Sequence, residues 1–473
     1  MDALRRSAEP LSRVRALSGQ SGDAAALGRG QRVLRDYGDR VELLLSTDGV
    51  LIDEVPRLIV RGLPARLEVT VRVEVIDAVG IRWESVTGYR ADSTGTVNAA
   101  TSAPVSGGYE GVDATGPWWS MRPSLDPGRP AIAFTAPDTA LTWSVSCRTP
   151  SGQSVRQEIV RRWCAQGVVR SEATTAGMRS VRFSPVEGTA ARPIVVLVPG
   201  TTGVEAVTPT AALLASRCGF DTVVLGYASD PGRASALVEV PLESIAQQVA
   251  ELARGRRVGV VAYSVGTGGA LAALAYCGIR VDAVVAIAPT HVIWQALREG
   301  GPPPKTSAWS QAGQPMPYVP VRGELLLPQI AGHALARVLH RRSASSQALG
   351  LRRAYAAGLR DTSAVARAVI PVERISAPLM AVAGDADAMW PAAQMAQALL
   401  DRRRDRGRED SLLVLPGAGH FLRPPVTPTT VDRSADLISG GTAAANAGAQ
   451  QTAWTAMTTF LLRHLPASPH PGP

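Results

Sequence analysis

The chain contains 473 residues, of which 45% are hydrophobic and 19% are charged. This composition is typical of a globular protein of two or three domains and excludes a disordered or fibrous chain. No apolar run reaches the ~18 residues that a membrane span needs. The first thirty residues contain arginines but no apolar core of a secretory signal. We therefore expect a cytoplasmic protein without a membrane span.

The net charge of +9 comes almost wholly from arginine, because Lys305 is the one lysine. The arginines are spread along the chain and form no stripe with interleaved aromatic residues, which argues against nucleic-acid binding. The densest run, residues 402–408, is interpreted as a solvated helix face. The four cysteines lie far apart with no CxxC pair, which favours reduced thiols over a zinc site or a disulfide scaffold. The sequence predicts no metal and no other cofactor.

Hydrophobic periodicity divides the chain into segments. Residues 1–37 lack clear apolar periodicity and are predicted to form a flexible N-terminal arm. Between residues 38 and 170 apolar and polar residues alternate, as they do in Leu67–Val75. Alternation of period two, with Gly/Pro turns between short strands, predicts an antiparallel β-sandwich.

From residue 180 to residue 466, continuous apolar runs alternate with helical segments. Runs that are apolar on both faces are typical of strands in a buried parallel sheet, so the alternation predicts an α/β domain with helices on both faces of the sheet. The Pro-rich and helical stretch at about 292–370 is interpreted as a lid inserted over the carboxyl edge of the sheet. Residues 467–473 form a tail. The six apolar runs are Ile194–Val198, Thr222–Leu225, Val258–Ala262, Val281–Ala288, Leu379–Ala383 and Leu412–Leu415.

A candidate nucleophile lies after the third apolar run. The sequence Ala262-Tyr263-Ser264-Val265-Gly266 precedes an Ala- and Leu-rich helix and resembles the G-x-S-x-G nucleophile elbow of α/β-hydrolases, with alanine in the first small position. Such a turn is tight enough to require small residues two before and two after the serine. Ser264 is therefore predicted to be the nucleophile, with its Oγ exposed at the edge of the sheet.

A serine hydroxyl is a poor nucleophile unless a base takes its proton. Among the six histidines, His420 is favoured because it follows the last apolar run through a glycine-containing loop; His291, after the fourth run, is the rival. The imidazole needs a carboxylate to fix its tautomer. Asp387 follows the fifth run at the spacing usual for this role, and we favour it over Asp385.

Acyl transfer passes through a tetrahedral anion, which requires hydrogen-bond donors. The N–H of Val265 is one predicted donor of this oxyanion hole. The second is expected in the loop Pro199–Gly203, after the first apolar run, and we favour the N–H of Thr201. An ordinary glycine turn is the alternative interpretation of that loop.

Many ordered motifs between about residue 45 and residue 465 are similar to those of the acyl-CoA thioesterase / bile acid-CoA:amino acid N-acyltransferase family. The Ser264 elbow and the segments that carry Asp387 and His420 are among them. The others are Leu51–Glu54, Gly62–Pro64, Ala103–Pro104, Tyr109, Gly111–Asp113, Gly116, Trp119–Met121, Pro241–Glu243, Pro289–Gln295, Pro317–Pro320 and Gly440–Thr442.

The resemblance implies an N-terminal immunoglobulin-like sandwich, a C-terminal α/β-hydrolase domain and attack on an acyl-CoA or acyl-carrier thioester. It also places His291 in a family motif outside the catalytic triad. The amino acid-conjugating branch typically has a cysteine nucleophile, so Ser264 favours hydrolysis to the free acid. An acyltransferase that uses an amine or alcohol acceptor is the alternative, and a non-catalytic binding module is a third reading that the complete Ser-Asp-His set argues against. The sequence leaves the acyl chain and the oligomeric state open.

Overall fold

The computed structural model describes residues 41–46, 51–125, 132–175, 178–187, 192–227, 236–298, 303–340, 348–404, 407–434 and 437–466. The predicted arm at 1–37 and the predicted tail at 467–473 lie outside these residues. Among the described helices, none is long and apolar enough to cross a membrane. The same ranges contain no group of three or more His, Cys, Asp or Glu side chains that could hold a metal ion.

The first region consists of two antiparallel sheets whose buried faces share one core. Its elements are β1 (Glu42–Ser46), β2 (Arg57–Arg61), β3 (Glu68–Ile76), β4 (Arg82–Arg90), β5 (Val97–Asn98), α1 (Gly116–Trp119), β6 (Arg122–Pro123), β7 (Ala140–Arg148) and β8 (Ser154–Arg162). The sheet orders are β1-β2-β5 and β6-β4-β3-β7-β8. Burial alternates along β3 because successive side chains of a strand point to opposite faces. Trp83 and Trp143 are fully buried in the shared core.

The second region is built on a large sheet. Its elements before the insertion are β9 (Val168–Thr175), β10 (Met178–Pro185), β11 (Ile194–Val198), α2 (Gly203–Cys218), β12 (Asp221–Leu225), β13 (Ala236–Leu237), β14 (Val240–Pro241), α3 (Leu242–Leu252), β15 (Val258–Tyr263), α4 (Val265–Tyr276) and β16 (Ala283–Ile287).

The insertion and the remainder of this region follow. Their elements are β17 (Leu297–Arg298), β18 (Trp309–Gln311), β19 (Gln314–Pro315), α5 (Leu327–His340), α6 (Arg352–Gly358), α7 (Thr362–Ala368), β20 (Leu379–Gly384), α8 (Ala392–Asp401), β21 (Ser411–Leu415), β22 (Arg433–Ser434), β23 (Leu437–Ile438) and α9 (Ala443–His464), with 3₁₀ turns at Gly323–Leu326 and Val372–Arg374.

The large sheet has the order β21-β20-β16-β15-β11-β12-β10-β9. Neighbouring strands from β21 to β12 are parallel, and β10 and β9 add antiparallel at one edge. Along β11, Val195 and Leu197 pack into a core with α2 and α9, whereas Ile194 and Val196 pack into a core with α3, α4 and α8. The predicted fold class, a β-sandwich followed by an α/β-hydrolase domain with helices on both faces of its sheet, is confirmed.

The expected bounds of the two domains fall near the antiparallel edge of the large sheet. The predicted end of the sandwich at residue 170 and the predicted start of the second domain at residue 180 both fall inside strands of the large sheet, β9 and β10. Period-two alternation is the same in an edge strand of either sheet, so the sequence pattern does not distinguish them. We propose that the domain boundary lies between β8 and β9.

Polar contacts tie the sandwich to the α/β region. Arg161 of β8 is buried, and its guanidinium donates to the carbonyl oxygens of Ile52 at 2.6 Å, Glu54 at 2.7 Å and Val426 at 3.2 Å. Val426 lies in the segment after His420, and the Thr429 N–H of that segment also donates to the Trp119 carbonyl. The sandwich therefore holds the chain that follows the candidate base.

The described residues of the arginine run at 402–408 do not form a solvated helix face, because α8 ends at Asp401 and Arg403 is only 1% exposed. The Arg403 guanidinium pairs with both carboxylate oxygens of Asp410, at 2.8 and 2.9 Å. It also donates to the carbonyl oxygens of Val372, Ile375 and Ala377. The charge pattern alone does not reveal that one arginine of the run points inward.

Arg403→Met should lower the free energy of unfolding by about 3–5 kcal/mol, because it leaves the Asp410 carboxylate, which is only 10% exposed, without its charged partner. Arg404→Met is the matched control, since the Arg404 side chain is 71% exposed and its loss should change stability by no more than about 0.5 kcal/mol. Urea denaturation of the two variants measures the difference. Equal effects would contradict the structural role given to Arg403.

Candidate active site

Ser264 lies at the sharp turn between β15 and α4. Its backbone has φ 52° and ψ −128°, a conformation that costs roughly 1–3 kcal/mol for a residue with a side chain. A Cβ on Gly266 would lie 2.1 Å from the Pro199 carbonyl oxygen, so α4 can start beside β11 only with glycine at this position. Ala262 is buried between Val198 and Ala286 of the neighbouring strands. These contacts are the physical reason why the turn needs small residues on either side of Ser264.

His420 and Asp387 complete a hydrogen-bonded chain from Ser264. The His420 Nε2 atom is 2.8 Å from Ser264 Oγ, and His420 Nδ1 is 2.7 Å from Asp387 Oδ2. Because a carboxylate can only accept, Nδ1 carries the proton in this pair and leaves Nε2 free to accept the serine proton. His420 is 3% exposed, so water is largely excluded from the pair.

The two aspartates of the loop after β20 have different surroundings. Asp387 is fully buried, and its second oxygen accepts from the N–H groups of Met389 and Trp390 at 2.7 and 3.1 Å. Asp385 is exposed, and its carboxylate accepts from the Gly417 N–H at 2.6 Å. The geometry therefore brings Asp387 to His420 and leaves Asp385 bracing the neighbouring loop.

Neither His291 nor Cys277 is placed to act on the bond that Ser264 would attack. His291 is absent from the residues that line the cavity beside Ser264; burial, aided by the charge of Arg402, lowers its pKa to about 4. Cys277 caps the far end of α4, about 18 Å from its start at the usual rise per residue. Burial also raises the pKa of the Cys277 thiol, which disfavours the reactive thiolate.

A polar network behind His420 was not found from the sequence. The His420 N–H donates to the Ser439 carbonyl oxygen at 3.0 Å, and the Gly419 N–H donates to the Asn446 side chain at 2.8 Å. Asn446 and the Ser439 hydroxyl both donate to the buried carboxylate of Asp432. The Gly440–Thr442 motif was the one sequence feature that pointed to this region. Its first glycine is required because a Cβ on Gly440 would lie 2.2 Å from the Ala386 carbonyl oxygen.

A cavity of about 80 Å³ opens beside the Ser264 hydroxyl. Thr201 lines it, and Gly200 packs close enough that a Cβ there would lie 3.0 Å from the Ser264 Cβ atom. Val265 is the first residue of α4, so its N–H has no partner within the helix. The two predicted oxyanion donors thus belong to the two segments that flank the serine.

Comparisons with known proteins identify two family regions in the chain. Residues 53–175 match the acyl-CoA thioester hydrolase/BAAT N-terminal region, and residues 316–467 match the BAAT/acyl-CoA thioester hydrolase C-terminal region. Among solved structures, the chain is similar to a soluble variant of monoglyceride lipase from Saccharomyces cerevisiae, at 13% identity over 64% of this chain and 97% of that one, with a TM-score of 0.36.

Two relatives from Mus musculus span nearly the whole chain. Acyl-coenzyme A amino acid N-acyltransferase 2 is 24% identical over 446 residues, which cover 90% of this chain and 98% of the relative. Peroxisomal succinyl-coenzyme A thioesterase is 25% identical over 431 residues, which cover 87% and 94%. The chain therefore belongs to the acyl-CoA thioester hydrolase / bile acid-CoA:amino acid N-acyltransferase family, which includes both thioesterases and N-acyltransferases.

Proposed function

We propose that the protein is a serine-dependent acyl-thioester hydrolase that cleaves acyl-CoA, or an acyl group on a carrier, to the free acid through an acyl-Ser264 intermediate. The observation that supports this most directly is the continuous hydrogen-bonded chain from Ser264 through His420 to Asp387. Such a chain combines a nucleophile, a base and a group that orients the base. The family includes acyl-CoA thioesterases, which supports a thioester as the substrate.

In the proposed first step, Ser264 Oγ attacks the thioester carbonyl while His420 Nε2 takes the serine proton. Asp387 stabilises the imidazolium that forms and holds its orientation. The carbonyl oxygen becomes an anion, for which we propose the N–H groups of Val265 and Thr201 as donors. The positive end of the α4 dipole lies beside the same oxygen.

Collapse of the tetrahedral intermediate breaks the carbon–sulfur bond. The leaving thiolate takes the proton from His420, and the acyl group stays on Ser264 as an oxyester. Water then attacks this ester while His420 accepts a proton from it, and a second collapse returns the proton to Ser264 Oγ and releases the acid. The sum of the steps is thioester plus water giving acid plus thiol.

Acyl transfer to an amine is the second candidate, because the relatives include acyl-coenzyme A amino acid N-acyltransferases. The nucleophile favours hydrolysis over this alternative, since an oxyester acyl-enzyme reacts less readily with amines than a thioester does. We also propose that the insertion between β16 and β20 acts as a lid that controls which acceptor reaches the acyl-enzyme.

Ser264→Ala should reduce kcat for acyl-CoA hydrolysis by about 10⁶-fold, because the covalent route is lost. Steady-state release of free thiol from acyl-CoA measures this loss. Cys277→Ala is the control and should keep the activity of the parent. Near-parental activity of a folded Ser264→Ala variant would refute the assignment of the nucleophile.

Asp387→Asn should reduce kcat by about 10⁴-fold, because the amide no longer enforces the imidazole tautomer that accepts the serine proton. Asp385→Asn is the matched control two residues away. Since Asp385 contacts a backbone N–H and not His420, its loss should be far smaller in the same assay. The reverse ranking would move the orienting role to Asp385.

Ser264→Cys should hydrolyse acyl-CoA more slowly than the parent and should form some N-acylglycine when glycine is present. A cysteine acyl-enzyme is a thioester, which is more reactive toward amines relative to water, and the thiolate is stabilised by His420 and the start of α4. Quantifying acid and amide by mass spectrometry gives the partition. If the parent itself forms more amide than acid, the acyltransferase alternative is correct.

A further inference from the structure

The cavity beside Ser264 is small and mostly apolar, yet its wall contains an arginine. Val207, Ile287 and Met389 supply much of its apolar lining. Among the described residues that line it, His420 and Arg423 are the two with basic side chains. The His420 ring nitrogens contact Ser264 and Asp387. Arg423 is therefore the basic group, among the described lining residues, that has no part in the proposed chemistry.

The Arg423 side chain is held in place, but its hydrogen-bond donors are not all used. Its guanidinium lies over the Phe421 ring at 5.1 Å from the centroid, and its Nη1 atom is 3.3 Å from Asp432 Oδ1. Asp432 is the one carboxylate within 4 Å of it in the described part of the chain. A guanidinium carries five N–H donors, so this single pair leaves several for another acceptor. The Arg423 side chain keeps 27% of its surface exposed.

Asp432 is shared between Arg423 and other donors. Its other oxygen already accepts from Ser439 and Asn446. Burial raises the pKa of the Asp432 carboxyl, although Arg423 acts in the opposite direction. The Arg423 side of the cavity therefore retains guanidinium N–H donors next to an apolar space.

The size of the cavity indicates which acyl groups fit within it. Its volume of about 80 Å³ is roughly half of the ~150 Å³ cavity that accommodates benzene. An acyl group of about four carbon atoms suits this space, and its far end would lie within the same lining that includes Arg423.

We propose that the cavity selects short acyl thioesters whose far end bears a carboxylate, and that Arg423 binds this carboxylate. The proposal rests on the proposed thioesterase function and specifies its substrate class. Arginine suits the role because its planar fork can donate two parallel hydrogen bonds to a carboxylate, and the apolar surroundings strengthen such a pair. The Phe421 ring beneath it keeps the guanidinium plane oriented.

Succinyl-CoA and butyryl-CoA test the proposal, because both carry a four-carbon acyl chain and differ in a terminal carboxylate against a methyl group. The parent should show a kcat/KM for succinyl-CoA about 10- to 100-fold above that for butyryl-CoA, the range expected for hydrogen bonds to a charged group. Arg423→Gln should bring this ratio close to one. Arg423→Lys, which keeps the charge but not the fork, should retain part of it.

Asp432→Asn is the control for a loosened Arg423 segment. It removes the carboxylate partner of Arg423 but leaves the guanidinium. This variant should keep the higher kcat/KM for succinyl-CoA than for butyryl-CoA. A parent that hydrolyses both esters equally overturns the inference and leaves the thioesterase function intact. If Arg423→Gln lowers kcat/KM equally for both thioesters, the inference is also overturned, because Arg423 would then act only by holding its segment in place. Hydrolysis of neither thioester by the parent overturns the inference about short acyl groups. Absence of thiol release from acyl-CoAs of every other chain length as well would contradict the proposed function itself.

Discussion

The close approach of Gly266 to the Pro199 carbonyl oxygen is the constraint on which the candidate site depends. It lets α4 begin directly beside β11, and the turn before it then forces Ser264 into a strained backbone conformation. The strain is held by the parallel sheet, since the Ser264 N–H donates to the Ile287 carbonyl oxygen of the next strand at 2.9 Å. As a result the serine hydroxyl stands clear of the sheet edge, where loops from three other strands reach it.

Those loops are fixed to one another by backbone contacts that leave no room for side chains. A Cβ on Gly384 would lie 2.3 Å from the Ala418 carbonyl oxygen, and one on Gly419 would lie 2.2 Å from the Gly440 carbonyl oxygen. The segments that carry Asp387 and His420 are therefore packed backbone to backbone. Asp432 and Asn446 add polar support from behind, so the imidazole is oriented by more than its carboxylate partner.

The sandwich supports the cavity wall at the same edge of the sheet, although none of its described residues is among those that line the cavity. Arg161 and Trp119 hold the segment that follows His420, and this segment supplies Phe421 and Arg423 to the cavity wall. Changes in the first region can thus alter the shape of the cavity in the second. This link is a physical reason for the two regions to occur together along one chain.

The sequence predicts the parts of this arrangement that depend on local pattern. Buried parallel strands are continuous apolar runs, and the elbow, Asp387 and His420 each follow such a run at a short, glycine-containing distance. The inward turn of Arg403, the role of Asp432 and the position of Arg423 depend on contacts between residues far apart in sequence. A polar residue in a loop has the same appearance whether it is exposed or buried, so pattern alone did not identify these three.

The central claim is that a thioester transfers its acyl group to Ser264. Rapid mixing of the protein with an acyl-CoA, acid quenching and mass spectrometry of the digested protein would locate the acyl group directly. The account predicts a mass increase equal to the acyl group on the peptide that contains Ser264, in the parent and not in Ser264→Ala. Acylation at another residue, or an unchanged adduct in Ser264→Ala, would contradict it.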